Sequence, residues 1–338
     1  MKTTSVLNAP LKNGAFQNRQ LALFQEFFAN GDARRQVSNS IEFWDSVPRY
    51  SVSKQAMAKL RDANGRLDIR EASFDCGSKS FKVVIRPARI GQMDYYPSAN
   101  EELVEEALRK IAVLQNQGFH EPDLRSGVVF TLYQLREELR QSGHARSYTE
   151  IVESLDILNL SSVEIRGGEK MKGFDRSPYF PRLSAVTRTD FDHDRNSKWY
   201  VQFHPMVTAS IDSFTYRQFN YRQLMQHSTQ LARWLHKQLV LKFIFASITN
   251  PFEMRFSTIS RDSGMLSNYS REDSRRKACD FSMSELETQK ILYRVDRKEV
   301  KGVRGKVLDV LYILHPTPLF VQEMKAANAR ARARKMIR

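Results

Sequence analysis

SREDSRRKACDFSMSELE, residues Ser270 to Glu287, decides how this chain folds. At ~100° per residue, Cys279, Met283 and Leu286 follow i, i+4, i+7 and define an inward helical face. Opposite them lie Ser270, Ser274 and Lys277, with Arg271, Arg275 and Arg276 around the flanks. Ser270 is a natural N-cap, since its hydroxyl can accept from a free N–H of the first turn. Serine, lysine and arginine are suitable donors for base edges and phosphates in a major groove.

The surroundings complete the pattern. Upstream come a long helix over about Tyr221 to Phe245, a break at Asn250-Pro251, a short strand at Met254 to Phe256 and a small helix at Thr258 to Ser263. Downstream, the strand-like LYRVDRKEV and KVLDVLYIL flank the glycine-bearing tip Lys301-Gly302-Val303-Arg304-Gly305. Helix, strand, helix, turn, helix, hairpin is the order of a winged helix-turn-helix. Its wing is basic, with Arg294, Arg297, Lys298, Lys301, Arg304 and Lys306.

The first half has the same order. Val104, Ala107, Leu108, Ile111 and Leu114 fall at helical spacing, followed by a strand at Val128 to Phe130 and a helix from about Leu132 to Leu139. Gly143 supplies a break, and in SYTEIVESLDILNL the residues Tyr148, Ile151, Leu155 and Leu158 share one face. Strand-like stretches follow at Ser162 to Arg166, Tyr179 to Thr187 and Trp199 to His204. The outward face of this first recognition helix shows Thr149, Glu153 and Asp156, with Arg146 at its start. Acidic side chains repel a phosphate-lined groove, so the second unit is the expected main reader of DNA.

The expected fold class is therefore α+β: two tandem winged helix-turn-helix domains, with a flexible N-terminal arm and a basic C-terminal tail. We place the arm at residues 1–45, the first domain at 46–205, the second at 206–324 and the tail at 325–338. The first domain is read as a dimerisation and auxiliary DNA-contact unit. Residues 46–96, which include the strand-like FKVVIR, join it by analogy.

The chain of 338 residues carries a net charge of +15 and a pI near 9.8, which calls for an anionic partner. Residues 255–338 hold nineteen Lys/Arg against ten Asp/Glu, and the terminal KAANARARARKMIR reads as a phosphate-binding arm without sequence preference. No apolar run approaches the ~18 residues that would span a bilayer, and the start lacks a secretory signal. Cys76 and Cys279 form no disulfide-rich or CxxC pattern, so a cytoplasmic protein is expected. There is no phosphate-binding GxxxxGK[ST] loop, no His-x-His pair among seven histidines and no nucleophile with a partner base. The Asp190-Phe191-Asp192-His193-Asp194 stretch reads as a charged surface turn. The expectation is a binding protein without catalytic residues, cofactor or metal.

With these elements in place the chain resembles plasmid replication initiators of the Rep superfamily, most of all the TrfA-type proteins. The likeness rests on VVFTLYQLREEL with SYTEIVESL in the first winged helix, and on STISRDSG before SRRKACDFSMSELE in the second. It implies binding of tandem direct repeats (iterons) at a plasmid origin, chiefly through the second winged helix. It also implies melting of an adjacent AT-rich stretch, with contact to that single-stranded DNA, and recruitment of host helicase and initiator proteins. Homodimers, formed through the first domain, would stand in equilibrium with monomers in a bacterial, plasmid- or nucleoid-associated setting. QLALF, with Gln20, Leu21, Leu23 and Phe24, is similar to the sliding-clamp-binding pentapeptide that TrfA-type proteins carry upstream of their winged helices. An amphipathic helix is the other reading of these residues, since Leu21, Phe24 and Phe28 fit i, i+3, i+7. The alternative function is a winged-helix transcriptional repressor on operator DNA, which would read inverted repeats as a symmetric dimer.

Overall fold

The computed structural model describes residues 37–115, 127–167, 173–186, 197–207 and 216–336. The described residues begin with strand β1 (Val37–Ile41), helix α1 (Lys54–Leu60) and four strands: β2 (Arg70–Cys76), β3 (Lys79–Arg86), β4 (Ala88–Ile90) and β5 (Met93–Tyr95). The first winged helix follows as α2 (Ala99–Gln115), β6 (Gly127–Thr131), α3 (Leu132–Gln141) and α4 (Tyr148–Leu160). Strands β7 (Ser162–Gly167) and β8 (Phe174–Pro178) lead to its hairpin, β9 (Arg182–Val186) and β10 (Lys198–Gln202). After β11 (Tyr216–Asn220) and the short α5 (Tyr221–Met225), the second winged helix runs as α6 (Gln230–Lys242), β12 (Phe252–Arg255), α7 (Phe256–Ser263), α8 (Glu272–Thr288), β13 (Leu292–Lys301) and β14 (Val307–Pro316). Helix α9 (Pro318–Met336) ends the described chain.

Both units place the strand before the helix pair beside the last strand of the hairpin, giving the orders β6-β10-β9 and β12-β14-β13. Local chemistry sets the helix starts. The Thr131 hydroxyl accepts from Gln134 N at 3.1 Å, and Ser147 forms a reciprocal capping box with Glu150. Gly264, at φ +65°, ends α7 in the left-handed region, where a Cβ would also meet that of Ser51 at 3.1 Å.

Several elements differ from the sequence reading. The expected long helix over Tyr221 to Phe245 is two helices. Glu285 of α8 accepts from Ser228 N and Oγ, both at 2.6 Å, and from Thr229 N at 3.1 Å. Thr229 then caps α6 by accepting from Ala232 N. Ser270 is not the cap of α8: the first helical N–H···O bond runs from Arg275 N to Arg271 O, so Arg271 takes that position. Glu272 and Asp273 in the first turn offset the helix dipole instead. The segment read as a free tail is helical to Met336. Its helix docks on β11, where Glu323 accepts from Asn220 N at 2.7 Å and Asn328 from Arg217 Nη2 at 2.8 Å. Val37–Ile41, inside the segment read as an arm, pairs antiparallel with β11, Val37 opposite Asn220 and Ile41 opposite Tyr216.

One hydrophobic cluster spans both halves, running from Ile41 through Leu108, Leu155 and Leu235 to Met324. Where the two winged helices meet, four acids and four bases are buried together. Arg109 bridges Asp45 at 3.1 Å and Glu105 at 2.8 Å, while Arg49 bridges the same carboxylates at 3.2 and 3.0 Å. From α6, Lys237 reaches Glu106 at 2.5 Å and Asp45 at 3.7 Å, and Arg233 reaches Glu102 at 3.2 Å. Burial pushes the Glu105 carboxyl up, but Arg109 and Arg49 outweigh it and hold the group at about 2.

Buried histidines give the fold an acid limit. His204 is stacked on Trp44 with ring centroids 4.3 Å apart, and His227 Nε2 lies 3.2 Å from His236 Nδ1. Burial pushes His204 and His227 down to about 4. The native state thus keeps them neutral while the unfolded chain takes up protons below about pH 6.5. Their stabilising contribution is complete above that pH and is lost as pH falls towards 4, at most about 3 kcal/mol per histidine. Melting temperature should therefore drop steadily between pH 6.5 and 4, and His227→Asn should flatten that decline in a thermal-melt series.

Candidate nucleic-acid interface

The site is built on α8 and the β13–β14 wing. Cys279, Met283 and Leu286 are all buried, as their spacing predicts, and burial pushes the Cys279 thiol up to about 12. The opposite side of α8 carries the exposed residues Lys277, Phe281, Ser284 and Thr288, one above another at i, i+4, i+7, i+11. Ser270 and Arg271 are exposed just ahead of the helix, and Ser274 is half-buried.

Two of the predicted DNA-contact arginines have structural work. Arg276 is largely buried and donates from Nη2 to the Val307 carbonyl at 3.1 Å while pairing with Glu272, so it ties α8 to β14. Arg275 donates from Nε to the Tyr269 carbonyl at 2.8 Å, bracing the turn into the helix. Lys277 and Arg271 make no ion pair with a described residue.

The wing divides in the same way. Arg294 binds Asp296 through two hydrogen bonds of 2.7 and 2.6 Å, which hold that carboxyl at about 2. Arg297 pairs with Glu299 at 2.8 Å and approaches Asp280 of α8 at 3.5 Å, and Lys301 lies 3.6 Å from Glu299. These acids cancel part of the charge and hold the arginines extended along the strand. Lys298 and Lys306 are exposed and make no ion pair with a described residue. At the tip, Gly302 N donates to Lys306 O at 2.8 Å, and a Cβ on Gly302 would stand 2.7 Å from Leu308 Cδ1. A side chain there would have to displace the exposed Leu308 side chain. The side chain of Arg304 lies outside the described residues.

Arg146 is not part of this site. It donates to Asn100 Oδ1 at 3.0 Å from Nη2 and to the Ala145 carbonyl from Nη1, joining the start of α4 to that of α2. Thr149 is exposed, and Glu153 and Asp156 are half-buried on α4. Two residues were missed by the sequence reading. Phe281 is 56% exposed in the middle of the α8 stripe, and Arg255 is exposed at the start of α7, 3.8 Å from Asp309. The signal for Phe281 was available, since it falls four residues after Lys277. Gln20, Leu21, Leu23 and Phe24 lie outside the described residues, as does the Asp190–Asp194 stretch. Among the described residues no three His, Cys, Asp or Glu side chains are placed to hold a metal ion, and no helix is long and apolar enough to cross a membrane.

The chain is similar in fold to solved structures. Domains 2 and 3 of RctB match over 81% of this chain and 96% of theirs, with a TM-score of 0.50 at 12% identity. The chain has the fold of RctB domains 2 and 3. A second RctB structure of domains 2–3 covers 79% of this chain and 97% of its own, with a TM-score of 0.44 at 13% identity. The Pi initiator protein in complex with iteron DNA covers 84% and 99%, at a TM-score of 0.36 and 8% identity. No protein-family model and no curated protein matches the sequence.

The division of labour on α8 can be measured. Lys277→Ala combined with Lys298→Ala should leave the melting temperature unchanged and reduce the slope of log affinity against log salt by about 2. Arg276→Ala should instead cost about 1–3 kcal/mol of stability in a denaturant melt, because it removes the tie between α8 and β14.

Proposed function

We propose that the chain is a replication initiator that binds direct repeats at a DNA origin, reading them chiefly with α8 and the β13–β14 wing. The observation that carries this reading is the outward stripe of α8, flanked by unpaired lysines on helix and wing. Hydroxyl and ammonium donors at this spacing fit base edges and phosphates of one major-groove segment. The excess of positive charge over residues 255–338 supplies the sequence-independent part of the affinity. The Rep-type resemblance in the sequence and the tandem winged-helix fold support initiation over simple repression. Under this reading the protein helps open an adjacent AT-rich stretch, brings in the host helicase machinery, and exchanges between dimer and monomer.

Binding of the full-length protein to the DNA flanking its own gene, against a scrambled duplex and across a salt series, tests the proposal. Direct repeats should bind far more tightly than the scramble, with a log–log slope of roughly −5 for about six phosphate contacts. Equal affinity for both would sink origin recognition, and preference for an inverted repeat would favour the repressor.

The same reading gives QLALF a role as a sliding-clamp ligand, with Leu23 and Phe24 filling an apolar pocket and Gln20 hydrogen-bonding at its rim. Leu23→Ala/Phe24→Ala should abolish clamp capture in a pull-down with purified clamp and leave repeat binding intact. Clamp binding at wild-type strength would remove that role.

A further inference from the structure

The four-stranded antiparallel sheet β2-β3-β7-β8 has one face in the core, where Phe74, Phe81, Val83 and Val163 are buried. On its other face Val84 and Glu164 are buried, while Glu71, Ser73, Lys82, Arg166, Phe174 and Arg176 around them are exposed, and the register sets its chemistry. Glu71, Val84, Glu164 and Arg176 form one cross-strand row, and Ser73, Lys82, Arg166 and Phe174 form the next. Glu164 is 1% exposed and takes three guanidinium groups, Arg86 at 2.9 Å, Arg166 at 2.6 Å and Arg176 at 2.5 Å.

One carboxylate cancels one charge, yet three arginines converge on it and Lys82 stands exposed in the neighbouring row. Glu71 approaches Arg166 only at 3.8 Å. Like charges brought this close repel one another, and Glu164 beneath them is what makes the cluster tolerable. Burial pushes Glu164 up, but the hydrogen bonds from the arginines hold it at about 2, so it stays ionised and the cluster stays assembled at neutral pH. The surplus positive charge faces solvent: the Arg166 and Arg176 side chains are 44% and 45% exposed. Phe174 is 64% exposed and lies under the Arg176 guanidinium at 5.3 Å. At the end of the same face Asp75 pairs with Arg261 of α7 at 2.5 Å, which joins the sheet to the second winged helix.

We infer that this open sheet face is a second nucleic-acid surface, in which Arg86, Arg166, Arg176 and Lys82 bind the phosphodiester backbone. The inference rests on the DNA-binding reading given above. Guanidinium forks match phosphate oxygens in pairs. A flat sheet bearing several spaced cations suits a polymer of phosphates, whereas a single small anion would remain open to water. The exposed Phe174 ring beside them can stack a base or a sugar. This surface is built from strands of the first half of the chain and lies outside the α4 recognition helix.

The test compares wild type with Arg166→Gln/Arg176→Gln across a salt series, on the repeat duplex, a scrambled duplex and a single-stranded oligonucleotide. The log–log slope should become shallower by about 2, at ~0.9 per duplex phosphate contact or ~0.7 per single-strand contact. The ratio of repeat to scramble affinity should not change. Arg166→Lys/Arg176→Lys, which keeps both charges, should restore most of the slope. Should the glutamine pair fail to fold, Lys82→Gln, which removes no ion pair to a described residue, should lower the slope by about 1. A change on duplex alone, or on single strand alone, assigns the backbone concerned. Unchanged slopes on both, in Lys82→Gln and in the folded arginine variants, overturn the inference. Absence of repeat preference in the wild type would defeat the origin reading, while the slope comparison would still judge this surface.

Discussion

The rest of the structure depends on the buried charges between the two winged helices. Taking an ion out of water costs several kcal/mol, and its attraction to a partner repays this only with good geometry and further hydrogen bonds. The junction meets that condition by balance. Asp45, Glu102, Glu105 and Glu106 face Arg49, Arg109, Arg233 and Lys237, and Trp44 Nε1 adds a hydrogen bond to Glu105 at 2.8 Å. The net stabilisation of such a set is small compared with the cost of leaving any one member alone. Its effect is therefore selective: sliding α6 along α2 would part Arg233 from Glu102 and Lys237 from Glu106 and strand buried charges. Hydrophobic contacts around the network add adhesion but discriminate less between neighbouring placements.

That fixed junction explains why the two recognition helices can differ so much. On α4 the cap and core residues are well formed, yet Glu153 and Asp156 occupy its outer side. On α8 the stripe of Lys277, Phe281, Ser284 and Thr288 itself carries no acid; Asp280 beside it is held by Arg297 and Tyr312, and the exposed Asp273 lies one turn before it. The acids of that unit sit beside arginines, Asp296 against Arg294 and Glu299 against Arg297, where they order the wing. The unpaired lysines are left as the mobile, hydrated charges that a phosphate backbone can collect.

Much of this was legible in the sequence because helical periodicity survives wherever one face is buried. Cys279, Met283 and Leu286 on α8, and Ile151, Leu155 and Leu158 on α4, are buried as their spacing requires. The errors arise where a distant residue settles a local choice. Glu285 intercepts the N–H groups at Ser228 and Thr229 and so splits what reads as one helix. Alanine and arginine are both strong helix formers, but only Asn328 meeting Arg217 and the Ile244 carbonyl reveals that their alternation at the C-terminus belongs to a docked helix. Charge is the least legible property of all. In EELVEEALRK the acids and bases look like a solvated face, yet Glu102, Glu105, Glu106 and Arg109 are all buried, because α2 is covered from both sides. Likewise, nothing local distinguishes the structural Arg276 from the free Lys277 beside it.

The pairing of β1 with β11 bears on how such a protein can be cut. A fragment starting at residue 206 would retain Tyr216–Asn220 but lose Val37–Ile41, its described partner in the sheet, exposing a row of unsatisfied N–H and C=O groups. The same cut would bare Arg233 and Lys237, whose carboxylates all belong to the other piece. Autonomy thus does not coincide with the winged helix as a motif. A piece that keeps these contacts must hold β1 together with β11 and α2 together with α6, so the two winged helices are tied into one cooperative unit and neither can be exchanged for another without rebuilding the junction.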